Sequence, residues 1–360
     1  MGARSWSRRK VVAGLATLAA QQSARAELRL PRKVRVVMIG LDAHPGEILD
    51  PAPQLPDVEV AGLFDEDAAA VERFARRPQC ARARKYTDWR RMLDQEKPDV
   101  AGVCNPNHQR AEAVIECLRR GIHVAAEKPL AIEWEWLKKV ETAVAQSKAK
   151  LTMLLPMRFD PAYKALKQVV DSGEIGEVIH ISGQKSYKVS QRPAWYFKRS
   201  TYGGTIPWIG IHLVDLMRWT SGRDFTETFS YQNNIGFPET GDTENVTASV
   251  FKLDNGGVGL LRMDYLRPAS AQTHGDDRLR LAGMKGVVEY MAATGVTVMS
   301  ASRAPERVDK LPAKGSLFTE FLDHVYNGKP EPISWKDIYR NNLIVLGARD
   351  AAEQHKIVRL

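Results

Sequence analysis

The sequence predicts an α/β protein in two parts. Residues 33–155 read as a doubly wound parallel sheet, and residues 156–360 as an α+β domain with a large, mostly antiparallel open sheet. Three observations carry this. Between Val34 and Leu155, short β-branched runs alternate with stretches of helical spacing, the pattern of parallel strands joined by right-handed crossovers. After Pro156 the strand-like runs lengthen and alternate polar with apolar residues, as antiparallel strands do when one face covers a core. A chain of 360 residues is also long enough for two cores of ordinary size.

The first part is built from Val34–Gly40, Val58–Phe64, Val100–Cys104, Ile122–Ala126 and Leu151–Leu155, runs apolar enough to be buried on both faces. Between them, Asp67–Arg77, Asp88–Gln95, Asn107–Arg120 and Glu133–Lys148 carry helical spacing. Asp67 and Asp88 suit N-caps, and Gly121 suits a helix stop. In the second part a helix over Pro161–Ser172 precedes strands at Glu177–Tyr187, Thr226–Asn233, Asn245–Leu253, Gly257–Tyr265, Asp277–Leu281 and Val287–Met291. The turn Asp254-Asn255-Gly256-Gly257 joins two of them as a hairpin. Helices over Ile209–Trp219, Leu317–Asn327 and Asp337–Ala352 complete the pattern.

Composition narrows the function classes. With 44% hydrophobic and 26% charged residues the chain is an ordinary globular sequence. It has no apolar run of the roughly 18 residues that a membrane span needs. The net charge of +9 suggests a nucleic-acid partner only at first sight, because Arg4, Arg8, Arg9, Lys10 and Arg25 supply five of those charges within 26 residues that hold no acid. Those residues read as a leader. Ser7-Arg8-Arg9-Lys10-Val11-Val12 opens a short apolar stretch, and Ala24-Arg25-Ala26 fits a signal-peptidase site. Paired arginines resemble a twin-arginine signal, so the expectation is export of the folded protein to the periplasm. Outside the cytoplasm no free nicotinamide pool is expected, so a redox cofactor would travel already bound. Cys80, Cys104 and Cys117 are odd in number and form no CxxC pair, which excludes a disulfide framework and a structural zinc site; no metal is expected.

The first strand runs into Gly40-Leu41-Asp42-Ala43-His44-Pro45-Gly46. A Rossmann dinucleotide site wants three glycines in such a turn, for the bend, for approach to the pyrophosphate and for helix packing. Gly40 holds the first slot, but Asp42 takes the second and Pro45 the third. Asp65, ending the second strand, suits a bond to both adenosine ribose hydroxyls, which favours NAD over NADP. It equally suits a helix N-cap shared with Asp67.

Gly121-Ile122-His123-Val124-Ala125-Ala126-Glu127-Lys128-Pro129-Leu130 resembles the GKHVxxEKPL signature of Gfo/Idh/MocA oxidoreductases. Asn105-Pro106-Asn107 resembles their (T/N)PN segment, and Tyr202 to Asp215 their GGGxLxDxGxHxxD segment. Ser334-Trp335-Lys336-Asp337 and Ala351–Leu360 are similar to the family's C-terminal helix and strand, so the resemblance spans residues 33–360. It implies an NAD(P)-dependent oxidoreductase of a sugar or sugar derivative that forms a dimer or tetramer; with Asp65 the expected cofactor is NAD(H) rather than NADP(H), and export implies that it is tightly bound. It places Gly40, Asp42, Asp65, Asn105, Glu127 and Lys128 at the cofactor, with Lys128, His212 and Asp215 as catalytic residues and Trp208, Lys128 and His212 at the substrate. His212 would be the general base, and the Lys–Pro bond cis. Trp208 stands where many members carry the Asp of DxGxH, and an indole stacks on a pyranose but accepts no hydrogen bond. His212, Asp215 and Trp208 have the spacing of one helix face.

Export favours a redox-neutral cycle of oxidation, elimination or epimerisation, and re-reduction. The lost glycines and Trp208 motivate a second reading, a cofactor-free glycan lyase, hydrolase or epimerase on the same fold. A third is a non-catalytic carbohydrate-binding protein. Tyr187, Arg192, Trp195, Tyr196 and Tyr265 are read as packing or surface residues.

Overall fold

The computed structural model describes residues 28–360. The expected leader, residues 1–26, lies outside them. The first sheet contains β1 (Val34–Ile39), β2 (Val58–Phe64), β3 (Arg84–Tyr86), β4 (Val100–Val103), β5 (His123–Ala126) and β6 (Leu151–Met153). All are parallel, in the order β3-β2-β1-β4-β5-β6. The chain therefore starts in the middle and winds outward both ways, and the crevice at the carboxyl ends of β1 and β4 is where such sheets bind ligands. The caps form as expected. Asp67 accepts from the Ala69 N–H at 2.9 Å and Asp88 from the Arg90 N–H at 2.8 Å. Gly121 ends the 107–119 helix at φ +75°.

The second sheet has nine strands: β7 (Val178–Tyr187), β8 (Phe225–Asn233), β9 (Val246–Leu253), β10 (Val258–Asp264), β11 (Gly275–Gly283), β12 (Gly286–Met291), β13 (Gly295–Ser300), β14 (Arg303–Arg307) and β15 (Val358–Arg359). Their order is β14-β13-β12-β11-β7-β10-β9-β8-β15, antiparallel except for the β7–β10 pair. Ile181, Gly183 and Lys185 of β7 face inward, opposite Leu281, Leu279 and Asp277 of β11. The 211–221 helix lies on that face so closely that a Cβ on Gly183 would stand 2.6 Å from Leu213.

β3, β13 and β14 escaped the sequence reading. β3 is three residues with two exposed cations, and β14 (Arg-Ala-Pro-Glu-Arg) is exposed throughout, so neither carries a burial signature. Cys80, Cys104 and Cys117 are buried thiols. Among the described residues, no helix is long and apolar enough to cross a membrane, and no three metal-ligating side chains cluster.

Candidate active site

Strand β5 is followed directly by Glu127 and Lys128, both almost wholly buried, and the Lys128–Pro129 peptide is cis. The loop is held by Arg110, a fully buried guanidinium on the 107–119 helix. It donates to the carbonyls of Asn105 (2.6 Å), Lys128 (3.0 Å) and Pro129 (2.9 Å), and to Asn107 Oδ1 (2.8 Å). Five fixed donors on one planar group suit this task, because the carbonyls of a loop end would otherwise be buried unpaired. From the other domain, Asn342 Oδ1 accepts the Leu130 N–H at 2.9 Å. Sequence reasoning missed Arg110. Its signal was a cation among the apolar positions of a helix that packs on the sheet.

Lys128 Nζ donates to the Trp208 carbonyl at 2.8 Å and lies 3.2 Å from the centroid of the Trp208 ring. Burial holds its ammonium well below the ordinary lysine range, although Glu127 pulls the other way. Trp208 thus caps the lysine. Residues 206–210 wind as one π-helical turn before the regular 211–221 helix begins. Such turns widen a helix locally and occur often at functional sites. The turn also breaks the single helix face that spacing suggested.

His212 is buried, and its Nδ1 has no hydrogen-bond partner. Burial and then the Lys128 charge keep the ring well below the usual histidine range, so it is neutral near pH 7. Asp215 is tied into an ion-pair cluster behind the histidine. Its carboxylate is forked by Arg158 at 2.8 and 2.5 Å and also accepts from Asn341 Nδ2 at 2.6 Å. These bonds occupy both of its oxygens and hold the carboxylate in place, so it acts through position rather than contact. It fastens the 211–221 helix to the 335–354 helix, where Asp337 joins the same cluster through Arg158 and Arg218.

The first turn brings a residue that the sequence reading left unassigned. His44 Nδ1 lies 2.8 Å from Glu127 Oε2. The His44 ring is 6.5 Å from Trp208 in a stacked arrangement and 6.2 Å from His212 edge-on. Burial alone would raise the Glu127 carboxyl, but His44, Lys128 and Arg110 hold it at about 2, so it is ionised. On the inner face of β7, Lys185 Nζ donates to Tyr187 Oη at 2.7 Å and to Asp277 Oδ2 at 2.8 Å. Lys185 and Arg192 both add positive charge that weighs on Lys128. Beside Lys185, Asp277 Oδ1 is buried without a partner, as is Tyr163 Oη. A lysine at an inward strand position was the available signal for Lys185. The hydroxyls of Tyr196, Tyr202 and Tyr265 bond one another in the wall, the packing role expected for Tyr196 and Tyr265.

The residues expected at a dinucleotide are brought to the crevice unevenly. Gly40 adopts φ +84°, and a Cβ there would stand 2.3 Å from the Asn105 backbone nitrogen, so only glycine fits. Asn105 Oδ1 is a buried acceptor with no donor among the described residues, and a carboxamide N–H suits it. Asp65 accepts the Leu41 N–H at 2.6 Å and the Asp67 N–H at 2.8 Å, which stitches the turn and leaves each oxygen a second lone pair. Asp67, not Asp65, caps the helix. Asp42 is turned toward the second domain, where Trp195 Nε1 donates to it at 2.9 Å. The helix after the turn is only Gly46–Leu49, with Pro45 before it. The strand-end positions therefore fit a nicotinamide, while the pyrophosphate cradle is reduced.

Comparison with known proteins agrees with this architecture. Residues 34–154 match the oxidoreductase family with NAD-binding Rossmann fold, and residues 163–289 match the GFO/IDH/MocA C-terminal domain. A myo-inositol 2-dehydrogenase of Thermotoga maritima is 26% identical over 290 residues, 76% of this chain and 84% of the relative. A solved Thermotoga maritima protein assigned to the oxidoreductases is 30% identical, with a TM-score of 0.84 over 91% of this chain and all of its own. Levoglucosan dehydrogenase solved with NADH shares the fold at 20% identity, with a TM-score of 0.78 over 91% of this chain and 99% of its own. The sheet order, the strand-end lysine, the histidine helix and these matches together make the chain a member of the Gfo/Idh/MocA family of oxidoreductases.

Proposed function

We propose that the protein oxidises a hydroxyl-bearing carbon of a sugar or polyol, with NAD(H) preferred to NADP(H). The observation that carries this reading is the meeting of Glu127–Lys128 from one domain with Trp208 and His212 from the other in a single cleft. The relatives named for myo-inositol and levoglucosan support a polyhydroxylated substrate. Gly40, Asn105, Glu127 and Lys128 would hold the nicotinamide end, and Asp65 the adenosine ribose, where its charge opposes a 2′-phosphate. When bound, the cofactor supplies a hydride acceptor. The chain supplies the rest. Neutral His212 offers a hydrogen-bonding imidazole to the substrate, Trp208 offers an apolar plate to a sugar ring, and Lys185 with Asp277 and Tyr163 offers polar groups for further hydroxyls.

The test is direct. Denatured pure protein is scanned by absorbance and mass for NAD(H), and native protein is titrated with NADH and assayed on a polyol panel. Bound cofactor or saturable binding, with oxidation of a panel member, is expected. Absence of both binding and turnover overturns the reading. The second reading, cofactor-free acid–base chemistry on a glycan, is favoured by Asp42, Pro45 and the four-residue helix. It requires turnover that survives exhaustive cofactor removal. Tight binding and a redox-neutral cycle follow from the proposed export. Fractionation checks that export, and replacing Arg8 and Arg9 by Lys should retain the protein in the cytoplasm.

A further inference from the structure

We infer that His44, oriented by Glu127, is an acid–base catalytic residue of this cleft. The inference rests on the proposed oxidation and assigns its proton transfer to a side chain from the turn that replaced the glycines.

Four observations carry it. First, Glu127 is fully buried and ionised, so it can only accept; the hydrogen of the 2.8 Å contact therefore sits on His44 Nδ1. That leaves the Nε2 lone pair as the base, the same logic by which a carboxylate fixes the imidazole tautomer in hydrolytic triads. Second, the His44 side chain is 48% exposed, whereas Lys128 and His212 are 1% and 9% exposed. Of the three, His44 is the group that a substrate entering from solvent meets. Third, Lys128 is already engaged by the Trp208 carbonyl and ring. Fourth, Trp208 stands where the resemblance expects a carboxylate to support the histidine, and His212 Nδ1 has no partner. The carboxylate–imidazole pair missing from the second domain is present between β5 and the first turn.

The turn is shaped for this. Ala43 is a non-glycine residue at φ +58°, a conformation that costs of order 1 kcal/mol and persists where surrounding contacts impose it. Glu127 and His212 are the titratable side chains in contact with His44, and Glu47 lies near enough to feel its charge. In the forward step the substrate O–H bond breaks toward His44 Nε2. An oxidised nicotinamide held by Gly40, Asn105, Glu127 and Lys128 would accept the hydride from the same carbon, which would become a carbonyl. The proton remains on the imidazolium, which the Glu127 carboxylate stabilises.

His44→Gln, Glu127→Gln and His212→Gln are compared with the wild type on a panel of myo-inositol, glucose and levoglucosan with NAD+. His44→Gln is expected to lower kcat by about 10²- to 10⁴-fold, with KM and NADH affinity within about threefold and the melting temperature little changed. Added imidazole is expected to restore part of the turnover of His44→Ala. A His44→Gln enzyme within about fivefold of wild type, beside an inactive His212→Gln, overturns the assignment. Histidine nitrogen NMR at pH 7 reads the dyad without turnover. The Nδ1–H tautomer of His44 in the wild type, lost in Glu127→Gln, supports the assignment, and an Nε2–H tautomer overturns it. If the wild type binds no NADH and oxidises nothing, the proposed redox function fails, and the tautomer still decides whether His44 is a carboxylate-oriented base.

Discussion

Trp208 and Glu127 define what Lys128 can do. Trp208 is 5% exposed among His44, Trp195, Tyr196 and Tyr202, and its ring and carbonyl both engage the ammonium. Trp208→Ala is expected to cost about 3–5 kcal/mol for lost burial and the cavity. It should also uncover the lysine, so amine labelling of Lys128 followed by mass spectrometry should rise in the variant. Unchanged labelling would show that the indole is not the cap. Glu127 gives a pH prediction. Its carboxyl sits at about 2 in the fold against 4.5 for the free side chain, a gap equivalent to about 3 kcal/mol. The folded value is depressed, so this contribution is complete above pH 4.5 and is lost as the pH falls toward 2. In denaturant titrations the stability difference between wild type and Glu127→Gln should shrink across that window. A constant difference would disprove it.

At the scale of elements, the first turn shows what could be read beforehand and what could not. Gly40 was legible because a bend after a buried strand needs positive φ, and the structure adds the reason for strictness, the Asn105 backbone 2.3 Å from a Cβ position. Gly40→Ala is expected to destabilise the protein by more than about 1 kcal/mol and to weaken NADH binding, both read by thermal melts with and without NADH. A variant that melts and binds like the wild type would refute the close approach. The caps Asp67 and Asp88 were legible too, because capping is decided within three residues. Asp215 was not. Spacing placed it beside His212, but its role is set by Arg158, 57 residues away, and Asn341, 126 away, and the π-turn at 206–210 changed the face. His44 was hidden for the same reason. A histidine in a broken glycine motif reads as damage until Glu127, 83 residues on, appears beside it.

For the whole molecule, the unanswered surface is the outer face of the second sheet. One side of that sheet packs on the 211–221 helix. On the other, Leu260 of β10 stands directly opposite Val250 of β9, with Val258 and Tyr231 on the same side, all at least 40% exposed. Four large apolar side chains on neighbouring strands form a patch of the kind that marks association rather than a monomer's surface. Arg262, Arg278, Arg280 and Glu289 border it, a polar rim around an apolar centre. The occupant we propose for this face is a second copy of the chain, because a patch on a two-fold axis meets its own equivalent. Light scattering should therefore give a multiple of the chain mass. Leu260→Lys with Val250→Lys would bring like charges together across the interface, at a cost of several kcal/mol. The dissociation constant should rise at least about 100-fold while each subunit keeps its cleft, because both positions lie on the opposite side of the sheet from Lys185. A wild type that runs as a monomer at micromolar concentration, or a double variant that remains associated, would refute this face as the contact.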